Sequence, residues 1–197
     1  MKASYHCLCI LLFIIMATSV TVGQPFGVGS PDKNISVLIE TKDSIVVKVF
    51  YRNDFLMEVT GISMKIREKG IIGVGAAVDT HVTGSMDTAF IPVVRQKSER
   101  IVDRHNELEI LFKGGYSLIF RVYDNGFAYR FSTRYAGDII VEAEECHMGF
   151  PDRTYFYFPE EESFFSHNER VYLHVPVDSI GPGRFCSLPA LAESPRG

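Results

Sequence analysis

The chain has 197 residues, of which 46% are hydrophobic and 22% charged, and its formal net charge at pH 7 is −4. This length is sufficient for one domain with a real core. The slightly acidic balance, without a polybasic run, argues against nucleic acid or an anionic membrane surface as a partner. We therefore expect a partner that is neutral or small.

The first residues have the pattern of a secretory signal peptide. Lys2 supplies a positive charge, residues 9–16 form a short apolar run, and small residues precede Gln24. A membrane anchor is the alternative, but the run is shorter than the roughly 20 residues of a spanning helix. We predict cleavage after Gly23, a mature domain over residues 24–197, and a periplasmic or secreted location.

Short runs rich in β-branched and aromatic residues follow, with turn residues between them. The stretch 79–88, rich in Gly, Thr and Asp, is interpreted as a connection. Alternation and composition predict the first strands at Ile35–Glu40, Ser44–Tyr51, Phe55–Val59, Gly61–Arg67, Ile71–Val74, Phe90–Val94 and Ile101–Asp103.

A meander of four strands is predicted next, at Glu107–Phe112, Tyr116–Tyr123, Phe127–Arg134 and Ile139–Glu144. Its clearest turn is Asp124-Asn125-Gly126, where Asn and Gly tolerate positive φ and a tight primed turn is expected. The period of two places apolar side chains on one face of the hairpin and two arginines, Arg121 and Arg130, on the other. That second face is either solvated or a binding surface.

The C-terminal part of the chain is less regular. Strands are predicted at Thr154–Phe158 and Arg170–Val175, but from Ile180 onward Gly, Pro and Ser crowd the sequence and predict a loop or linker without a closing strand. No amphipathic helical window of useful length is present. The fold class is therefore all-β, and the short, evenly spaced strands indicate a sandwich.

The residues that could carry chemistry give little on their own. Glu160-Glu161-Glu162 cannot all face one ligand in an extended chain, so this cluster is interpreted as a solvated acidic loop. His147 and His167 have no partner at metal-ligand spacing. Cys146 and Cys186 would remain after cleavage, as one disulfide or as two separate thiols.

Several motifs, in their order and spacing, resemble the N-terminal domain of family 97 glycoside hydrolases. They cover most of the mature chain, and no single one of them is decisive. They are the segment 30–34 (SPDKN), the segment 106–108 (NEL), the hairpin 121–131, the acidic segment 142–145, the segment 167–172 (HNERVY) and the segment 177–180.

This resemblance implies a secreted, three-part enzyme that acts on α-glucosides or α-galactosides. A β-super-sandwich, similar to galactose mutarotase, would precede a catalytic (β/α)₈ barrel and a small C-terminal β-domain. The chain stops before the barrel, so the resemblance implies no catalytic residue here and an incomplete sandwich. A free-standing sandwich that binds carbohydrate or protein without catalysis is the alternative, and a remnant that folds poorly is another.

The resemblance also implies calcium at the sugar site, held by barrel glutamates and by one glutamate from the N-terminal domain. The matching position is Glu169, and a carboxylate suits calcium because this ion prefers hard oxygen ligands. Two features depart from the family. The chain has no Trp, so Phe156 and Tyr157 stand where the family has one before Pro159, and the loop between Pro159 and Glu169 is longer.

Overall fold

The computed structural model describes residues 25–95, 97–167 and 169–195. The predicted signal peptide, residues 1–23, lies outside the described residues. Within them, no helix is long and apolar enough to cross a membrane. The strands are β1 Phe26–Gly29, β2 Ile35–Thr41, β3 Ile45–Tyr51, β4 Asp54–Ile66, β5 Gly70–Ile72, β6 Val78–Phe90, β7 Ile101–Phe112, β8 Tyr116–Tyr123, β9 Gly126–Thr133, β10 Val141–Gly149, β11 Tyr155–Phe158, β12 Glu160–Glu161, β13 Leu173–Pro176, β14 Phe185–Cys186 and β15 Leu191–Glu193.

Two antiparallel sheets contain most of these strands. The first sheet has the order β1-β2-β3-β4-β10, with β5 paired to β4, and the second has the order β6-β7-β8-β9. Buried and less buried residues alternate along β2 and β3, because successive side chains of a strand point to opposite faces. The all-β class predicted from the sequence is confirmed.

The core lies between the two sheets. β8 contributes its central side chains, including Leu118, Phe120 and Val122, none of which is exposed to solvent. The first sheet contributes aliphatic side chains that are likewise buried: Ile35, Val37, Ile39, Ile45, Val47, Val49 and Val59. The inward face predicted for the hairpin is therefore correct, since Phe127, Tyr129 and Phe131 of β9 also pack against this core.

Two of the predicted interruptions do not occur. β4 runs through Gly61 without a break, and β7 joins the two strands that were predicted separately around residues 104–106. At Gly61 the pairing with β10 shifts by one residue and φ is +65°, so a β-bulge absorbs the glycine. A bulge bends a strand without ending it. The prediction was wrong here because it interpreted the glycine as the boundary between two strands.

The largest error concerns β6. The stretch 79–88 was interpreted as a connection, yet β6 pairs with β7 along its whole length, while residues 91–94 are not part of a strand. Nearly all side chains of β6 are exposed. An edge strand with no covered face carries no apolar alternation, so hydrophobic pattern could not reveal it.

The primed turn lies in a different hairpin from the one predicted. Asp124 and Asn125 do connect β8 to β9 in two residues, with Tyr123 opposite Gly126, but none of the turn residues has positive φ. Positive φ at two consecutive residues occurs instead at Arg52 and Asn53, between β3 and β4, with values of 49° and 72°. This combination is that of a type I′ turn.

The C-terminal part forms two small sheets, β13-β11-β15 and β12-β14. The prediction of a tail without a closing strand is therefore wrong, because β14 pairs with β12 and β15 pairs with β11. Both strands are only two or three residues long and are bounded by Pro and Gly. Their pairing partners are distant in sequence, so local composition did not predict them.

Three of the family-like motifs meet at one end of the sandwich. The backbone N–H of Asp32, in the first motif, donates to Oδ1 of Asp124 in the β8–β9 turn at 2.9 Å. Nδ2 of Asn106, in the second motif, donates to the carbonyl of Gly29 at 2.8 Å. Arg104 forms an ion pair with Asp124. These motifs fix the β1–β2 connection to the opposite sheet, so their role at this end is structural.

Asp32 is the centre of this connection. Its carboxylate accepts hydrogen bonds from the Ser30 hydroxyl at 2.5 Å and from the backbone and side-chain nitrogens of Asn34 at 3.0 Å and 2.6 Å. These donors, the Ser30 hydroxyl first, lower the pKa of Asp32 from 3.8 to about 2.

We expect the substitution Gly73→Ala to destabilise the protein strongly. Gly73 has φ +93°, and a Cβ there would lie 2.3 Å from the carbonyl oxygen of Ile62. The matched control is Gly70→Ala, where φ is +88° but no atom lies within 4 Å of the added Cβ. Backbone strain alone costs about 1–3 kcal/mol. Urea unfolding of both variants should show the larger loss for Gly73→Ala, and equal losses would contradict the steric argument.

We expect Asp32 to contribute to acid stability. Because its folded pKa is depressed, the contribution is complete above about pH 3.8 and is lost as the pH falls towards about 2. The variant Asp32→Asn should therefore be less stable than wild type at pH 7, and the difference should shrink between pH 4 and 2. Asp138→Asn, at an exposed position, is the control. A difference that does not change with pH would contradict this assignment.

Candidate functional site

Glu169 lies in the irregular segment between β12 and β13, and its side chain is exposed. Its neighbour Asn168 is outside the described residues. Among residues 25–95, 97–167 and 169–195, no group of three or more His, Cys, Asp or Glu could hold a metal ion. The structure thus presents Glu169 as a single accessible carboxylate, and its role as a calcium ligand stays a prediction.

Arg170, the residue that follows Glu169, forms an ion pair. Nε of Arg170 donates to Oε2 of Glu161 at 2.7 Å. Glu161 is only 7% exposed, so its carboxylate is largely removed from solvent. The hydrogen bond from Arg170 lowers the pKa of the Glu161 carboxyl, while burial opposes this effect. The guanidinium of Arg170 is therefore engaged with Glu161.

A second ion pair lies on the opposite side of β12, the strand that contains Glu160 and Glu161. Arg184 donates to both carboxylate oxygens of Glu160, from Nε at 2.7 Å and from Nη2 at 2.9 Å, and its guanidinium lies 5.3 Å from the ring centre of Phe158. The hydrogen bond from Arg184 lowers the pKa of Glu160. Two parallel N–H···O bonds make this a geometrically specific pair.

The interpretation of residues 160–162 as a solvated acidic loop is therefore wrong for two of the three glutamates. Glu160 and Glu161 form β12 and point to opposite sides, as an extended chain requires, and each has its own arginine. Only Glu162 is exposed. Sequence reasoning missed the buried position of Glu161 because both of its strand neighbours are charged, and the partners Arg170 and Arg184 are distant in sequence.

The carboxylate of Glu169 has the chemistry of a calcium ligand, but it could be only one of several. Calcium takes about 6–8 oxygen ligands, so an ion could bind at Glu169 only if other groups completed its shell. Within the described residues, Glu169 belongs to no group of three or more His, Cys, Asp or Glu that could hold a metal ion.

The outer face of the second sheet carries the two predicted arginines. Nε of Arg121 donates to Oε2 of Glu107 at 2.7 Å, so this guanidinium is already paired. Arg130 is exposed. The small side chain of Ala128 leaves a shallow depression of about 220 Å³, which both arginines line. His105 lies on the same side of β7 as Glu107 but is only 2% exposed. Its Nδ1 atom lies 2.7 Å from Oδ1 of Asp103. The floor of this face is thus a network of polar side chains that contact one another.

Cys146 and Cys186, the two cysteines among the described residues, are free thiols and no disulfide joins them. Cys146 lies exposed on β10, while Cys186 lies half-buried in β14 opposite Glu160. Burial raises the pKa of the Cys186 thiol.

The aromatic residues before Pro159 have different environments. Phe156 packs edge-on against Phe150, with ring centroids 4.9 Å apart, and belongs to a half-buried contact. Tyr157 is 37% exposed and lies 4.7 Å from the His174 ring. Of the two, Tyr157 is the more accessible to a ligand.

Comparison with known proteins gives a consistent result. A family model described as "Glycosyl-hydrolase 97 N-terminal" matches residues 28–197. A "Retaining alpha-galactosidase" from Bacteroides thetaiotaomicron is 23% identical over 197 residues, which cover 95% of this chain and 30% of that protein. The chain therefore spans less than a third of the length of this relative.

Solved structures agree on the fold. A Glycoside Hydrolase Family 97 enzyme from Pseudoalteromonas sp. strain K8, in complex with acarbose, has a TM-score of 0.68 at 19% identity, over 78% of this chain and 25% of its own. A β-arabinopyranosidase has a TM-score of 0.66 at 21% identity, over 75% of this chain and 26% of its own. The match over nearly all of the described residues shows that the chain belongs to the N-terminal domain family of the family 97 glycosyl hydrolases.

Proposed function

We propose that this chain is the non-catalytic N-terminal sandwich of a secreted family 97 glycoside hydrolase that acts on α-glucosides or α-galactosides. The observation that carries the proposal is the family match over residues 28–197. The substrate class is supported by relatives described as a retaining alpha-galactosidase and as enzymes in complex with acarbose and panose. The signal-like pattern of residues 1–23 supports secretion into the periplasm or the medium.

In the complete enzyme, this sandwich would support the catalytic barrel through its C-terminal part. Large apolar side chains are exposed on both sides of Glu169: Phe164 and Phe165 are 92% and 97% exposed, and Val171 is 83% exposed. Leu188, on the loop after β14, is 86% exposed. Apolar side chains at such exposure are typical of a surface that another domain covers.

Glu169 would act from within this surface. The Arg170–Glu161 ion pair holds the backbone beside it, and the apolar neighbours would exclude water once the barrel is in place. Calcium, when bound, would orient substrate and stabilise negative charge. The contribution of this chain is then one positioned carboxylate, with the remaining ligands and the catalytic groups on the barrel.

We expect the isolated chain to bind calcium weakly or not at all, since one carboxylate cannot fill the coordination shell. In a chimaera in which this chain replaces the corresponding part of the Bacteroides α-galactosidase, calcium should raise the melting temperature. Glu169→Gln should reduce that rise, whereas Glu162→Gln, a nearby exposed glutamate, should not. Calorimetry that shows tight one-to-one binding by the isolated chain would contradict the proposal.

We expect Phe165→Asp to separate docking from folding. At 97% exposure this side chain contributes little to the isolated chain, so its melting temperature should hardly change. In the chimaera, the charge would be buried against the barrel and should lower the melting temperature. Phe90→Asp, at a 51% exposed position on β6, is the control. Equal effects of Phe165→Asp in both proteins would show that this surface does not contact the barrel.

A further inference from the structure

A cleft with a volume of about 380 Å³ lies between the turn that precedes β11 and the short 3₁₀-helix Val177–Ser179 that follows β13. Its lining includes Asp152, Arg153, Tyr155 and Asp178. The volume is within the range of about 300–1,000 Å³ that is typical of small-molecule sites. None of the functions discussed above uses this cleft.

The walls of the cleft are held in place by hydrogen bonds. Thr154 is 1% exposed, and its hydroxyl donates to the carbonyl of Pro151 at 2.7 Å. The backbone N–H of Val177 donates to the carbonyl of Thr154 at 2.9 Å and joins the two walls. A site that is already formed before binding loses less entropy when a ligand enters.

One wall of the cleft is aromatic. The ring of Tyr155, which is 40% exposed, stacks on His174 with centroids 4.9 Å apart and an interplanar angle of 25°. His174 also contacts Tyr157 at 4.7 Å and bonds to Oε2 of Glu193 through Nε2 at 3.1 Å. These contacts hold one face of the Tyr155 ring against His174, while Tyr155 remains 40% exposed and lines the cleft with a ring that is apolar apart from its hydroxyl.

The polar groups around this wall are available to a ligand. Asp152, Arg153 and Asp178 are exposed and form no side-chain hydrogen bond or ion pair with the rest of the described chain. Carboxylates accept hydrogen bonds from hydroxyl groups, and a guanidinium donates to hydroxyl and ring oxygens. An aromatic surface beside such groups matches a pyranose ring, which has apolar C–H faces and a rim of hydroxyl groups.

The charges that line the cleft favour neutral saccharides over anionic ones. Two carboxylates, those of Asp152 and Asp178, line the cleft with one guanidinium, that of Arg153. Nearby, Glu193 bonds to His174, and Arg184, which donates to the carbonyl of Ser179, has its charge balanced by Glu160. A carboxylated or phosphorylated sugar would be repelled by this excess of negative charge. We propose that this cleft binds one neutral pyranose unit of a saccharide, with the ring against Tyr155 and its hydroxyl groups on Asp152, Arg153 and Asp178.

The proposal can be tested on the full chain with methyl α-D-galactopyranoside and maltotriose as probes. Saturation-transfer-difference NMR, in the presence of a calcium chelator, should show saturable binding with a Kd in the millimolar range, as expected for a single shallow subsite. Tyr155→Ala should weaken binding about tenfold or more through loss of the stacking surface. Tyr51→Ala, at a similarly exposed tyrosine on the sandwich, should leave it unchanged.

Asp178→Asn gives a second, less disruptive variant. It should weaken binding while the melting temperature stays at the wild-type value, and it decides the question if Tyr155→Ala does not fold. Galacturonate should bind more weakly than the neutral galactoside. Saturable binding that neither variant changes, or no saturation transfer at all, would overturn the proposal. Since the chelator removes calcium, failure here would leave the assignments of Glu169 and of the barrel-facing surface unaffected.

Discussion

The fold depends on one contact, the packing of the aliphatic rows of β2 and β3 against the central strand of the second sheet. Phe120 and Leu118 are fully buried there, and so are Val37 and Val47 on the opposite side. A fully buried side chain of this size contributes about 1.5–3 kcal/mol relative to exposure. The β1–β2 connection, which carries the first family-like motif, closes one end of this layer through its hydrogen bonds to the opposite sheet.

Sequence predicted the strands that this layer buries and failed where burial gives no pattern. Tyr116–Tyr123 was predicted with its observed bounds because it is rich in β-branched and aromatic residues and turn residues flank it at both ends. β6 was missed because neither of its faces is covered, and β14 and β15 because their partners are remote. For the candidate site, Glu169 came only from the resemblance, while the burial of Glu161 depends on Arg170 nine residues away and left no local signal.

The C-terminal part combines a rigid base with an accessible rim. Glu160 and Glu161 engage Arg184 and Arg170 with short, oriented hydrogen bonds. Around them, the large apolar side chains and Glu169 remain exposed. In the enzyme proposed above, the ion pairs would set the backbone position and the exposed groups would meet the barrel. Three of the family-like motifs, at residues 30–34, 106–108 and 121–131, instead fix the β1–β2 connection to the opposite sheet.

The exposed edge strand β6 has a consequence for solution measurements. In an antiparallel pair, alternate residues direct their backbone groups towards the neighbouring strand and away from it. Because β6 pairs with β7 on one side, every second amide proton along Val78–Phe90 is directed away from that partner. Hydrogen exchange should therefore alternate between slow and fast along this strand. Covalent labels, by contrast, should reach its side chains on both faces, so the two methods would describe the same strand as ordered and as accessible.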